Sequence, residues 1–200
     1  MRSTIIIIAA IIGFFVIVGG IFVLMGISQY NKMISMDEAI NEKWSQVENV
    51  YQRRADLIPN LVNTVKGYAD FERQTLTDVI EARSKATSVQ VDPTNMNAAN
   101  LAQFQQAQDA LSSALSRLMV VVERYPELKA NQNFLDLQAQ LEGTENRIAN
   151  ERRKFNEATR TYNAYIRRIP QNVVAGISGF DQKPYFEADE GAEEAPEVQF

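Results

Sequence analysis

Two hundred residues with 20 basic and 25 acidic side chains, and with neither cysteine nor histidine, exclude much chemistry at the outset. Disulfides, thiolate catalysis and the usual zinc ligand sets cannot be built, and the commonest general base at neutral pH is missing. Six of the acids lie between residues 187 and 197. Elsewhere 20 bases face 19 acids, so the body offers no basic face for nucleic acid.

After a short segment, residues 1–4, the run from Ile5 to Ile27 is uncharged over 23 residues. About 20 residues of helix cross a bilayer core, so this run spans one with a little tilt. It is longer than the ~7–15 residues of a secretory signal core. It is followed by Gln29, Tyr30 and Asn31 rather than by a small-residue cleavage site. Arg2 before it is nearly balanced by Lys32 and Lys43 after it, so charge bias leaves the side of the membrane open. Ala9 and Gly13 stand four residues apart, and Gly13 and Gly20 seven. Small residues on one face let membrane helices approach closely, which makes these three positions candidates for self-association. The ordinary abundance of glycine in membrane helices accounts for them equally.

From Ser28 onward the chain carries three apolar stripes. Glycine and proline are absent from Ser28 to Ile58. Pro59 then either kinks a continuous helix or makes a turn between two shorter ones. The apolar register carries through from Tyr51 to Val65, which favours one kinked helix over about 28–88. Its stripe includes Ile40, Trp44, Val47, Tyr51, Ile58, Leu61, Val62, Val65, Tyr68, Ala69, Leu76, Val79, Ile80 and Ala86, mostly three or four apart. Asp92 and Pro93 form a cap for a second helix over about 95–124, with Leu101, Phe104, Ala107, Leu111, Leu115, Leu118 and Val122 on one face. A third helix over about 131–169 repeats Phe134, Leu137, Leu141, Thr144, Ile148, Phe155, Tyr162 and Ile169, the spacing of coiled-coil-like bundle packing. Short connections make neighbours antiparallel, with residues 28 to about 50 standing partly unpaired as a stalk. Residues 170–186 read as an apolar strap or short helix, and 187–200 as an acidic disordered tail. The fold class is therefore all-α: one N-terminal transmembrane helix continuing into a long antiparallel bundle of three or four helices.

Charged residues on or beside the stripes are the first candidates for a site: Arg54, Glu72, Arg83, Arg147 and Arg152. They read either as an internal ion pair that sets register or as long side chains whose heads reach water. The second reading is the more economical. Carboxylate pairs such as Asp70 with Glu72 and Glu142 with Glu145 are what a long polar helix contains by chance. No histidine accompanies them in the pattern of di-iron bundles. Neither a glycine-rich phosphate loop nor a nucleophile elbow is present, so no catalytic residue, cofactor or metal is implied.

The segments Trp44–Asn49, Tyr51–Val62, Thr64–Ala69, Asn131–Phe134, Leu141–Ala149 and Tyr162-Asn163 closely resemble the hallmark of the LemA family. The resemblance runs from about Gln29 to Phe186. It implies a bacterial membrane-anchored protein with an N-terminal transmembrane helix and a long antiparallel helical domain, and it carries over no catalytic residues. The expectation is a single-pass protein of the bacterial inner membrane that acts as a non-enzymatic scaffold or protein-interaction module. It would form a homo-oligomer, meet the bilayer through residues 5–27, bind a protein partner and bind no nucleic acid. The competing expectation is a metal-dependent or hydrolytic factor that uses clustered carboxylates.

Overall fold

The computed structural model of the chain describes residues 2–67 and 72–187, with side chains at all of these except 2–6 and 8–10. The Ala9 side chain, Tyr68, Ala69, Asp70 and the acidic stretch after Glu187 lie outside the described residues or side chains. The chain is built from α1 (Arg2–Lys66), α2 (Arg73–Ser88), a 3₁₀ turn (Pro93–Asn95), α3 (Ala98–Val122), α4 (Pro126–Lys129), α5 (Gln132–Ile166) and α6 (Gln171–Ser178). Among the described residues there is no strand. They fall into two compact units: residues up to 40 with 160–182, and residues 41–159 with those from 183 onward.

The second unit is a bundle of four helical segments, because the chain turns back after Lys66. A single helix to residue 88 is not formed; α1 ends there, Gly67 lies in a turn, and α2 starts at Arg73. Glycine gives up about 1 kcal/mol of helix propensity relative to alanine, which makes residue 67 a low-cost place to stop. α2 then runs antiparallel to α1, and the guanidinium Nε of Arg83 donates to the Ala55 carbonyl at 2.7 Å. That carbonyl is available for a specific reason. Pro59, which lies inside α1, has no N–H to offer the carbonyl four residues before it. Proline here neither ends the helix nor wastes an acceptor; it exposes one that the neighbouring helix uses.

α3 lies antiparallel to α2, with Gln108 Nε2 donating to the Ala86 carbonyl at 3.1 Å near one end and Arg124 paired with Glu72 at 2.6 Å near the other. α5 returns beside α1, since Arg54 meets Glu145 and Trp44 meets Phe155. Ile58, Leu61, Val65, Val79, Leu111, Leu118, Leu128 and Phe134 fill the centre, each at most 1% exposed. Burial of each large side chain contributes about 1.5–3 kcal/mol before chain entropy is set against it.

Several local expectations change. Asp92 caps the 3₁₀ turn, its carboxylate accepting from the Thr94 N–H at 2.9 Å. α3 is capped instead by Asn97, in a reciprocal box with Asn100. Pro126 opens α4 and stands beyond the end of α3. In α3 Gln108, not Ala107, takes the buried position after Phe104. Ile80 faces outward. Ile169 lies past the end of α5 and is 85% exposed, while Thr159 and Ile166 complete that helix's buried row.

In the first unit, Met33, Ile40, Tyr162, Ile166 and Ala175 are buried. The Tyr30 and Phe180 rings meet edge-on at 5.5 Å, and the Tyr165 hydroxyl donates to Gln29 Oε1. Residues 28–50 therefore do not form an unpaired stalk: Met33, Ile40, Trp44 and Val47 have no more than 1% exposure. α6 ends at Gly179, whose φ of 74° is the left-handed cap that glycine adopts without strain. Earlier in α1 the pattern is opposite. Phe14, Phe15, Val16, Ile17, Phe22 and Leu24 are all well exposed, on every side of the helix.

Candidate functional site

The polar centre of the four-helix unit is Arg54. It sits on α1 one turn beyond Tyr51, and its side chain is 2% exposed. Burying a guanidinium is costly unless its donors are met, and here both terminal nitrogens are, while the buried Nε has no partner. Nη1 donates to Ser112 Oγ at 2.7 Å and to Glu145 Oε2 at 2.9 Å. Nη2 donates to Gln108 Oε1 at 2.8 Å and to the Gln108 carbonyl at 3.2 Å. The guanidinium carbon lies 5.1 Å from the centre of the Tyr51 ring. Gln108 passes the connection on to Ala86, so this one cluster ties α1, α2, α3 and α5 together. The head of Arg54 does not reach water; its countercharge does, since the Glu145 side chain is 56% exposed. Burial pushes the Tyr51 phenol up to about 12, against the opposing pull of the nearby Arg152 and Arg54 charges.

A groove of about 990 Å³ opens over this cluster between α3 and α5, lined by Tyr51, Arg54, Gln108, Ser112, Glu145 and Arg152 among others. Pro184, Tyr185 and Glu187 line it as well. A smaller groove of about 480 Å³ is lined by Glu48, Gln52, Thr87 and Gln90, and shares Tyr51 and Gln108 with the first.

The other sequence candidates are scattered. Glu72 precedes α2 and pairs with Arg124 at the surface. Arg83 holds the Ala55 carbonyl. Arg147 is exposed on α5. Arg152 is half-buried, donates to the Glu187 carbonyl at 2.8 Å, and lies over the Phe186 ring at 5.0 Å. Gly13 and Gly20 have open space where a Cβ would stand. Of the acidic pairs, Glu145 is drawn to Arg54 while Glu142 accepts from Gln138. Among the described residues no group of three acids could hold a metal ion. Gln108, Ser112 and Asn156 escape sequence reasoning. For Gln108 a signal exists: Leu101, Phe104, Gln108, Leu111, Leu115, Leu118 and Val122 follow alternating steps of three and four, with one polar residue in the row.

The cluster supports binding and register more readily than catalysis. It presents a neutralised cation and amide groups, and it aims no nucleophile at a general base. Comparison with known proteins fits a fold of this kind. Magnetosome protein MamQ 2 of Paramagnetospirillum magneticum is 28% identical over 185 residues, covering 83% of this chain and 67% of the relative. Magnetosome protein MamQ of Magnetospirillum gryphiswaldense is 27% identical over 184 residues, covering 82% and 67%. Protein LemA of Metamycoplasma hominis is 25% identical over 177 residues, covering 88% and 77%. The profile of the LemA family matches residues 43–200, which include Arg54, Gln108, Glu145 and all but the first two residues of the four-helix unit, and the chain belongs to that family.

Proposed function

We propose that this protein is a single-pass, membrane-anchored helical scaffold of the bacterial inner membrane, non-enzymatic and self-associating, which offers its four-helix unit to protein partners. One observation carries the reading. The apolar part of α1 leaves its large side chains exposed all round, whereas the unit beginning at residue 41 completes a core of its own. An aliphatic surface of that kind is stable in lipid and not in water. The helix is long and apolar enough to cross a bilayer. Self-association has support from the open faces at Gly13 and Gly20, which would admit a second helix closely.

The test is fractionation of full-length protein followed by protease treatment of spheroplasts. The expected outcome is recovery in the membrane fraction, resistant to carbonate, with the four-helix unit cleaved from one side only. Recovery of the intact chain in the soluble fraction overturns the anchor, and a single non-cross-linkable species in native membranes overturns self-association.

A further inference from the structure

The segment Lys183–Glu187 is held on the four-helix unit in the manner of a bound peptide. It has no regular secondary structure, and the main-chain groups of Phe186 and Glu187 are met by side chains. Asn156 on α5 makes a two-point clamp: its Oδ1 accepts from the Phe186 N–H at 2.9 Å and its Nδ2 donates to the Phe186 carbonyl at 3.0 Å. The Glu187 carbonyl accepts from Arg152 at 2.8 Å and from Gln105 at 3.2 Å. One side chain serves as the anchor. Phe186 is 4% exposed, stacked on Trp44 at 5.9 Å and 17°, and edge-on to Phe155 at 5.5 Å. Its neighbours Asp181, Gln182, Tyr185 and Glu187 are exposed. Main-chain clamping with a single pocketed aromatic residue is how grooves recognise linear peptides.

We infer that the Trp44–Phe155 pocket and its Asn156–Arg152–Gln105 clamp form a linear-peptide site, and that its second occupant is the Lys183–Glu187 segment of another copy of this chain. The inference rests on the self-association reading and gives it a contact. A segment that docks in cis docks in trans through the same contacts, so exchange between copies sacrifices none of them. The balance is then set by effective concentration, which anchoring in a common membrane raises. The pocket selects an aromatic residue, while Arg152 and Gln105 grip the carbonyl of the residue after it, a group that any side chain leaves in place.

The probe is a labelled peptide of Asp181–Glu187 with blocked ends, added to full-length protein in micelles. Phe186→Ala protein, with an emptied pocket, should bind it at least tenfold more tightly than wild type. Introducing Asn156→Ala into that protein, or Phe186→Ala into the peptide, should abolish binding. Phe186→Leu protein should give the same order at smaller size, which keeps the test decisive if the alanine variant folds poorly. Exchange is read by mixing differently tagged Phe186→Ala and Asn156→Ala chains in membranes. The mixture pairs an intact segment with an intact pocket and should co-purify several-fold above either variant with itself. Equal co-purification in all three combinations leaves self-association through the membrane span standing and overturns this inference. Failure of every combination, wild type included, overturns both. Failure of folded Phe186→Leu protein to bind the peptide removes the site.

Discussion

The stretches of α1 before Ile27 and after Asn41 share one helix and obey opposite rules. In the first, Phe14, Phe15, Ile17 and Phe22 point outward on all sides. In the second, Trp44, Val47, Tyr51, Ile58 and Leu61 form a narrow buried stripe, and the one cation on that stripe, Arg54, is enclosed with its partners. The difference lies in the solvent each stretch is written for. A helix in hydrocarbon needs no stripe, because lipid accepts apolar side chains from any direction. A helix in water must gather them on one face, and there an enclosed charge needs partners: both terminal nitrogens of Arg54 have them, and only the buried Nε goes without.

The contrast is broken most sharply by one kind of truncation applied to both stretches. Trp44→Ala removes a fully buried indole packed against Phe104, Phe155 and Phe186. It should cost about 3–5 kcal/mol, read as a fall in thermal and urea midpoints. Phe22→Ala, on a residue 67% exposed, should leave those midpoints unchanged. Equal effects would mean that the two stretches do not differ as described.

Arg54 sharpens the comparison at the next level. Arg54→Ala strands Gln108 and Ser112 inside the unit but leaves Glu145 able to hydrate, so a loss of about 2–3 kcal/mol is expected. Glu145→Gln keeps a hydrogen-bond acceptor but leaves the buried guanidinium without its countercharge. Urea denaturation should show it to be destabilising also, unlike substitution of an ordinary half-exposed acid.

The smallest effect is a pH dependence. Tyr51 ionises near 12 in the folded chain and near 10 unfolded, so above pH 10 the unfolded state binds fewer protons. Stability should therefore be unaffected by this group below pH 10 and fall between pH 10 and 12, by on the order of 2 kcal/mol. Burial pushes the Tyr162 phenol up to about 12 as well, so Tyr51→Phe should make that part of the curve shallower rather than flat, and ultraviolet titration should show one of two late phenols disappear.

Much of the helical plan is legible from spacing, because burial imposes a period that substitutions preserve. The expected ranges for α3 and α5 fall within a few residues of Ala98–Val122 and Gln132–Ile166. What spacing cannot reveal is the return of the chain after Lys66. The stripe continues in phase from Val65 to Leu76 whether the helix runs on or folds back, since both halves bury the same kind of face. Pro59 attracts suspicion as the breaker, yet Gly67 is where the helix stops. The site was half visible. Arg54 stands out on an apolar face, but whether its head is enclosed depends on Gln108, Ser112 and Glu145, which lie 54 to 91 positions away in the chain.

The acceptor freed by Pro59 has an evolutionary side. A peptide oxygen is present whatever amino acid occupies position 55, so drift there cannot erase the docking point that Arg83 grips. The Arg83 hydrogen bond between α1 and α2 is thus written in two codons, 59 and 83, while position 55, only 3% exposed, is constrained by size and not by chemistry.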